Sequence, residues 1–318
     1  MIKVKGKKIS ARKVGQTGAR VVIPIVRWVF LLSISYILLY PLFYMISTSV
    51  RAPMDFVDTT VMWVPKNFSF YNITKAFDYL DYPKSLLSTI KVEIISAFIE
   101  VITCSITAYG LARFEFKEKK ILTLILMLTI LIPTPMIIIP LTVSMRYLDF
   151  FGILGLIGDL IGQNIRPNLL NTVWSFYIPS IFSVGLKAGL FIYMYVQFFK
   201  GLPKELEEAA SIDGAGPVKT FLTIVVPSSG TIFLTVIIFS IIWHWNDTYL
   251  SVMFLSKNFP LSVALANITA KMNGILFEQR TVGLLMAACL LVILPVLIVY
   301  CILQKRFIKS IDRVGIVG

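Results

Sequence analysis

Charged side chains within long apolar runs are the first candidates for chemistry in this sequence. Glu93 and Glu100 lie seven residues apart in one run, so a helix would place both on one face, and Lys187 lies in another run. Because a charge is costly in lipid, such residues are candidates for a functional site. For Glu100 the alternative is a structural role, either in an ion pair with Lys187 or as an inward-facing, solvated carboxylate.

A second group of candidates surrounds residues 243–249, WHWNDTY, which combine aromatic faces with hydrogen-bonding side chains. That combination suits the recognition of sugars and predicts a solute path here. The alternative is an aromatic belt at the outer membrane interface, where Trp and Tyr are enriched. The side chains considered for the solute path are Glu100, Tyr193, Trp243, Trp245, Asn246 and Asp247.

The sequence offers no set of residues for catalysis or for metal binding. His244 is its only histidine, and the three cysteines lie within apolar segments without a C-x-x-C pair. No G-x-x-x-x-G-K-[ST] run occurs, so a P-loop for ATP is lacking. We therefore expect a protein that is not an enzyme, that binds no metal or cofactor, and that does not itself hydrolyse ATP.

The composition requires a chain embedded in a membrane. Residues of the types AVILMFWYC make up 57% of the 318 positions, charged residues make up 15%, and the mean hydropathy is +0.82. Soluble domains carry more charge and disordered chains are less hydrophobic, so both classes are excluded. We predict an all-α polytopic protein with six transmembrane helices, over about 28–50, 86–112, 121–145, 174–199, 228–246 and 281–303.

The distribution of Lys and Arg predicts the orientation of these spans. Nineteen of them lie in the terminal segments and in the loops after the second and fourth spans, against nine in the alternate segments. Both termini are therefore expected in the cytoplasm, and the net charge of +13 reflects topology rather than nucleic-acid binding. The chain divides into a basic arm over 1–27, a transmembrane domain over 28–304 and a tail over 305–318.

The stretch 147–166 bears on this count, because a seventh span there would place the basic tail outside. The stretch is fairly apolar, but Asp149, Asp159 and four glycines make it a poor spanning helix. We interpret it as an external interfacial or re-entrant segment.

The cytoplasmic loop over 201–227 is net negative, unlike the other cytoplasmic segments. Pro203 and the acids that follow it favour a helix start, and Gly214 and Gly216 can end the helix. The loop therefore predicts a short helix over about 203–215 that suits insertion into a cleft on another protein. The alternative is a helical linker between two spans. The loop's charged residues are Glu205, Glu207, Glu208 and Asp213 against Lys204 and Lys219.

At this loop the sequence resembles the permease subunits of bacterial ABC importers. Glu208-Ala209-Ala210, three residues, Gly214, nine residues and Ile224-Val225-Val226-Pro227 are similar to the EAA motif of that family. The longer match looks like the carbohydrate-uptake branch and extends over most of the chain. It includes Glu205 to Ala210 with Asp213-Gly214-Ala215 and Phe221, TAYGLARFEFKEKK at 107–120, LIPTPMIIIPL at 131–141, Trp245-Asn246-Asp247, and the tail from 304.

The resemblance implies a half-permease of the bacterial inner membrane. It would pair with a second, homologous permease subunit, two ATPase subunits that bind ATP and Mg²⁺, and an external solute-binding protein. The loop helix would be a coupling helix in a groove of one ATPase, where Glu208 makes a charged contact and Gly214 permits the following turn. The resemblance assigns ATPase coupling to Glu205, Leu206, Glu208, Ala209, Ala210, Asp213 and Gly214.

Several alternatives stay open. The cargo could be a peptide or another solute, and Asn246 or Asp247 could contact the external binding protein instead of the solute. A stand-alone secondary transporter would need an internal repeat, which is not evident, and a membrane enzyme would need a catalytic set. The chain departs from the family in a longer external segment at about 149–166 and in a more charged tail at 308–313. These departures bear on contact with the binding protein and with the ATPase.

Overall fold

The computed structural model describes residues 11–149, 151–272 and 278–314, with side chains over 23–149, 151–272 and 281–304. Over these residues the chain is helical, and its β structure amounts to an isolated bridge between Arg51 and Phe68. The predicted all-α class is confirmed. The basic arm over 1–27 and the tail over 305–318 lie partly outside the described residues.

The helices follow one another with short connections. The first part of the chain contains α1 (Ala11–Ser49), α2 (Tyr71–Tyr79), α3 (Tyr82–Thr89), α4 (Ile95–Arg113), α5 (Lys119–Leu131), α6 (Thr134–Arg146), α7 (Ile153–Ile161), α8 (Trp174–Ile181) and α9 (Ala188–Lys200). The second part contains α10 (Glu205–Ile212), α11 (Pro217–Thr220), α12 (Val226–Ser228), α13 (Gly230–Trp245), α14 (Tyr249–Phe254), α15 (Leu261–Ala266), α16 (Ile268–Lys271) and α17 (Glu278–Val314). Single π turns over Ile90–Ile94 and Phe221–Val225 join α3 to α4 and α11 to α12.

The chain forms two compact units. The first comprises Met1–Ile73 and Phe277–Leu290. Within it, the loop after α1 is closed around the buried Asp55, whose carboxylate accepts backbone N–H bonds from Lys66 (2.8 Å) and Asn67 (2.9 Å). The Asn67 side chain adds a third bond at 2.8 Å. These hydrogen bonds, that of the Asn67 backbone above all, hold the pKa of Asp55 below its usual range.

The second unit comprises Thr74–Leu276 and Leu291–Gly318. At its centre α4 packs against α8, α9 and α13. The small residues Cys104 and Ala108 of α4 face large aromatic side chains of α9, including Phe191 and Tyr195, in one buried cluster. This alternation of small and large side chains lets the helices approach closely, as is typical of helix packing in membranes.

Three helical segments are long and apolar enough to cross a membrane: Ile23–Ser49, Tyr82–Arg113 and Thr281–Gln304. Two bent pairs raise the number to five if each pair counts as one span. Lys119–Leu131 and Thr134–Arg146 meet at 109°, and Pro217–Ser228 and Gly230–Trp245 meet at 82°. The described structure therefore supports three to five spans of the six predicted.

The prediction of a single helix over 174–199 is wrong. In its place α8 and α9 are separated by residues 182–187, where Ser183 and Lys187 adopt positive φ angles of 58° and 65°. Pro179 within α8 supplies no backbone N–H, and left-handed residues cannot continue a right-handed helix. The apolar run is thus divided into two short helices.

The segment 147–166 forms α7, which has nine residues and so a length of about 14 Å. A bilayer core is about 30 Å thick, so this segment is not a seventh span, as predicted. Its ends are held together by Asp149, which accepts the backbone N–H of Leu154 at 2.9 Å and pairs with Arg166 at 2.9 Å.

Candidate functional site

Three buried ionisable side chains form a cluster that joins α13 to α4 and to the π turn before it. His244 Nδ1 lies 3.1 Å from Glu93 Oε2, and His244 Nε2 lies 2.9 Å from Glu100 Oε2. The exposed fractions are 1% for Glu93, 0% for Glu100 and 3% for His244. Glu93 lies on the π turn Ile90–Ile94, a distortion that is frequent at functional sites.

The two contacts determine how many protons this cluster holds. A carboxylate only accepts hydrogen bonds, and a neutral imidazole offers one donor and one acceptor nitrogen. Both ring nitrogens of His244 can be bonded only if the ring is doubly protonated or if one of the two carboxyl groups carries a proton. Over the described residues, no group of three or more His, Cys, Asp or Glu side chains is placed to hold a metal ion. The two contacts of His244 make the cluster a hydrogen-bonded network.

The two carboxyl groups have different surroundings. Glu93 Oε1 accepts a hydrogen bond from Ser251 Oγ at 2.7 Å. Glu100 Oε1 is buried and has no hydrogen-bond partner within the described part of the chain. It faces Gly185, where a Cβ atom would lie 2.6 Å from Oε1. The lack of a side chain at Gly185 therefore makes room for the Glu100 carboxyl group.

The predicted ion pair between Glu100 and Lys187 is wrong, because the partner of Glu100 is His244. Sequence reasoning set His244 aside as an isolated histidine. Its two partners precede it by 151 and 144 residues, a contact that helix periodicity does not show. The signal available was physical: ionisable side chains in apolar runs must satisfy one another inside a membrane.

A cavity of about 600 Å³ lies beside the cluster. His244 contributes to its wall, as do Thr107 of α4 and residues from Ser183 to Lys187 in the break between α8 and α9. The hydroxyls of Thr107 and Ser183 are 3.0 Å apart and share a hydrogen bond. Most of the wall is apolar, so the site has the form usual for small ligands, with a few polar groups in an apolar surface.

Among the side chains predicted for a solute path, Trp243 lines this cavity. Its ring packs against Phe191 and Phe239, each with a centroid distance of 5.6 Å. In the part of the chain that the structure describes, Glu100 and Tyr193 do not contribute to the cavity wall. Glu100 lies behind it, next to Gly185.

The other three candidates make contacts within the chain. Trp245 is buried, and its Nε1–H donates to a backbone carbonyl of α17 at 3.2 Å. Asp247 is buried and accepts two backbone N–H bonds from the first turn of α14, at 3.3 and 3.0 Å. Asn246 is exposed, and its amide donates to a carbonyl one turn earlier in α13 at 2.7 Å. Trp245 thus ties the end of α13 to α17, and Asp247 holds the first turn of α14.

The helix predicted over about 203–215 is present as α10, and it ends in a Schellman turn. The N–H of Gly214 donates to Ser211 O at 3.0 Å, and the N–H of Ala215 donates to Ala210 O at 2.9 Å. Gly214 has a φ of +77°, a left-handed conformation that a residue with a Cβ adopts only at a cost. Gly214 therefore ends this helix, as its position in the sequence indicates.

Most residues assigned to ATPase coupling lie at the surface of α10. Ala210 is the exception, because it is 7% exposed and packs inside its own unit. Of the two alanines that the resemblance assigns to ATPase coupling, Ala209 is therefore the exposed one. Ile212 is 87% exposed beside the acids, which gives the surface an apolar contact. The exposed members are Glu205, Leu206, Glu208, Ala209, Asp213 and Gly214.

Glu207 points in the opposite direction from these residues and is absent from the predicted coupling set. Its Oε1 lies 2.6 Å from Arg113 Nε, and its Oε2 accepts a hydrogen bond from the Tyr109 hydroxyl at 3.0 Å. The side chains of Arg113 and Glu207 are 6% and 18% exposed. Arg113 belongs to the stretch 107–120 that carries part of the family resemblance, so a signal for this contact was present.

Comparison with known proteins gives the family. Residues 101–313 match the family described as binding-protein-dependent transport system inner membrane components. The chain belongs to this family. The resemblance that begins with the EAA spacing is thus confirmed, and the match includes His244, the residues that line the cavity, and α10.

Curated relatives of this inner membrane component include three bacterial permeases that are named for sugar uptake. It is 30% identical over 281 residues to the melibiose/raffinose/stachyose import permease protein MelC of Bacillus subtilis. The aligned region covers 87% of this chain and 91% of MelC. It is 26% identical to the diacetylchitobiose uptake system permease protein NgcG of Streptomyces coelicolor, over 88% of this chain and 84% of NgcG. It is also 26% identical to the trehalose transport system permease protein SugB of Mycobacterium tuberculosis, over 90% and 95%.

A solved structure shows the same fold for this inner membrane component. A chain of a bacterial ABC transporter involved in the import of the acidic polysaccharide alginate matches with a TM-score of 0.70. The match covers 96% of this chain and 100% of that chain, at 21% sequence identity. The two chains therefore share one fold over nearly their whole lengths.

Proposed function

We propose that this chain is a permease subunit of an ATP-driven importer and that its cargo is a saccharide delivered by an external binding protein. The observation that carries the proposal is α10, a surface helix with the EAA spacing and an exposed Glu208, inside a chain of the binding-protein-dependent transport family. The names of MelC, NgcG and SugB support an oligosaccharide cargo, because each specifies a short oligosaccharide or a derivative of one.

In this proposal α10 is the coupling helix that binds one ATPase subunit. Its exposed acids Glu205, Glu208 and Asp213 face a basic groove, and Leu206 and Ala209 give the apolar approach. The ATPase subunits bind ATP and Mg²⁺ and close on each other, and the spans respond by alternating between outward and inward access. A second permease subunit completes the translocation path, so this chain supplies half of it.

The proposed topology places both termini and α10 on the cytoplasmic side. The asymmetry of Lys and Arg between alternate segments supports this orientation. Three single helices and two bent pairs give five crossings, and termini on one side require an even number. We therefore assign the sixth crossing to α8 and α9 together, as a broken span.

The cavity beside His244 is the proposed part of the solute path. Trp243 offers an aromatic face, and the hydroxyls of Thr107 and Ser183 offer donors and acceptors. Sugars bind through this combination of stacking and hydrogen bonds. Among the predicted candidates, Trp243 is therefore the side chain that we propose for solute contact.

Capture of the native complex through a tag on this chain tests the ATPase partnership. The expected result is a co-purified subunit that contains a P-loop peptide, identified by mass spectrometry. Glu208→Lys should abolish its recovery, because the substitution reverses the charge at the centre of the contact surface. Glu115→Lys is the matched control, since it reverses an exposed charge in another loop. Equal recovery with both variants would contradict the role of α10.

The cargo class is tested on the external binding protein of the same complex. Raffinose, trehalose and diacetylchitobiose are compared with a mixture of short peptides in a thermal-shift assay of that protein. A shift with at least one sugar and none with peptides is expected. A shift with peptides alone would replace the saccharide proposal and leave the importer proposal standing.

A further inference from the structure

The carboxylate of Glu207 is held on both oxygens by two residues of α4. Arg113 Nε lies 2.6 Å from Oε1, and the Tyr109 hydroxyl donates to Oε2 at 3.0 Å. Arg113 Nη2 also donates to the carbonyl of Leu202 at 2.9 Å, in the turn before α10. Tyr109 and Arg113 are four residues apart and so lie on one face of α4. α10 and the turn before it are therefore fixed to the last turn of α4.

This contact is protected from water, unlike the other charges of α10. The Arg113 side chain is 6% exposed and that of Glu207 is 18% exposed. The Tyr109 ring packs against Phe221 and Phe199, with centroid distances of 4.9 and 6.3 Å. Exposed ion pairs contribute little to the stability of a fold, whereas removal of one partner from a buried pair lowers that stability strongly. Separation of α10 from α4 would therefore leave a charged side chain buried without its partner.

α4 can carry such a movement into the membrane-spanning part. It is an unbroken helix from Ile95 to Arg113. Arg113 and Tyr109 lie at one end, and Glu100, which contacts His244 of α13, lies nine residues before Tyr109. A rigid helix transmits displacement of its end to the side chains along it, and the packed interface with α13 has to respond.

We propose that Glu207 is a positioning residue through which displacement of α10 is transferred to α4. This inference rests on the proposed function, since an ATPase subunit must displace α10. Tyr109 and Arg113 are the receiving residues on α4. Glu208, which follows Glu207 in the sequence, is exposed and faces the ATPase subunit. Glu208 therefore binds the partner, and Glu207 transfers the displacement to α4.

The test measures movement of α4 in the assembled native complex. Spin labels are placed at Ile106 on α4 and Val252 on α14, both exposed, in a background without the three native cysteines. The distance between the labels is measured by electron–electron double resonance without nucleotide and after trapping with ATP and vanadate. In the otherwise unchanged chain, nucleotide trapping is expected to shift this distance.

Two variants remove the contact in different ways. Glu207→Gln removes the charge, and Tyr109→Phe removes one hydroxyl while it keeps the ring packing. In both, we expect ATP hydrolysis to continue and the nucleotide-dependent shift to be lost or reduced. A residue that only stabilised the fold would not separate hydrolysis from movement in this way. Glu115→Gln breaks the exposed pair with Lys119 and should leave the shift unchanged.

A full shift in both variants would overturn the inference. If Glu207→Gln does not assemble, Tyr109→Phe decides, because the hydroxyl alone is changed. Failure of the proposed function is recognised separately. In that case the unchanged chain captures no subunit with a P-loop, and no nucleotide effect is seen in any sample.

Discussion

His244 Nε2 lies 2.9 Å from Glu100 Oε2, and this contact fastens α13 to the middle of α4. The opposite ring nitrogen meets Glu93, so one imidazole fills the space between two carboxyl groups. Each group compensates for the burial of the others, and removal of one member has effects that depend on which member is removed.

Removal of His244 should lower the stability of the protein more than neutralisation of Glu100 does. His244→Ala leaves two buried carboxyl groups without their shared partner, at a cost on the order of 3–5 kcal/mol. Glu100→Gln keeps the contact, because the amide can donate to a neutral imidazole, and should cost about 1 kcal/mol. Thermal unfolding of the detergent-purified chain measures both. Equal losses of stability would mean that His244 does not link the two carboxyl groups.

Gly185 should tolerate no side chain. A Cβ there would lie 2.6 Å from Glu100 Oε1 and 3.0 Å from Ser180 Oγ, so Gly185→Ala forces Glu100 away from His244. The expected loss of stability is about 1–3 kcal/mol. The loss should be smaller in a Glu100→Ala background, because the closer of the two contacts is then absent.

Gly110→Ala is the matched control for this substitution. Gly110 lies within α4, and a Cβ there meets no atom within 4 Å. Alanine is the better helix former, so the variant should be neutral or slightly more stable. A comparable loss in both variants would show that the effect does not come from Glu100.

Local patterns explain which parts of this structure were predictable. The long spans, α10 and its end at Gly214 depend on apolar run length, on helix start signals and on one glycine, all of which lie within a few residues. The break at 182–187 was not predicted, because the length of the apolar run alone indicated one helix. Pro179 and Gly185 were the breaker residues within it.

The candidate site was less predictable, because it is built by contacts between distant segments. His244 meets Glu93 and Glu100 across about 150 residues. Trp245 and Asp247 looked like binding residues by type, but in the structure Trp245 ties α13 to α17 and Asp247 holds the first turn of α14. Residue type shows what a side chain can do, and only the packing shows which partner it has.

The loop after α1 should loosen in acid. Hydrogen bonds, first that of the Asn67 backbone, hold the pKa of Asp55 below the value of 3.8 that it has when solvated. A lowered pKa in the folded state stabilises the loop at pH values above about 3.8, and this contribution is lost as the pH falls below it. Hydrogen exchange of residues 51–69 between about pH 5 and pH 2 should show the loss.

Asp55→Asn should weaken the loop at all pH values and reduce its acid dependence, because Asp55 no longer titrates. The part that remains comes from Asp58, whose pKa is also lowered, chiefly by its hydrogen bond to the Lys66 side chain. Asp78→Asn changes an exposed acid outside the loop and should leave the dependence as it is. Acid loosening that stays undiminished in Asp55→Asn would have to come from another group.

Gly214→Ala should weaken the end of α10. The φ of +77° is left-handed, and a Cβ in that conformation costs about 1–2 kcal/mol although it meets no neighbouring atom. Gly214→Asn should cost less, since Asn tolerates this conformation better.

Gly216→Ala is the control, because Gly216 has a φ of −74° and open space around it. Hydrogen exchange of the Gly214 and Ala215 amides, which close the Schellman turn, should rise in the order Gly216→Ala, Gly214→Asn, Gly214→Ala. Equal exchange in the two alanine variants would show that the turn does not depend on the left-handed residue.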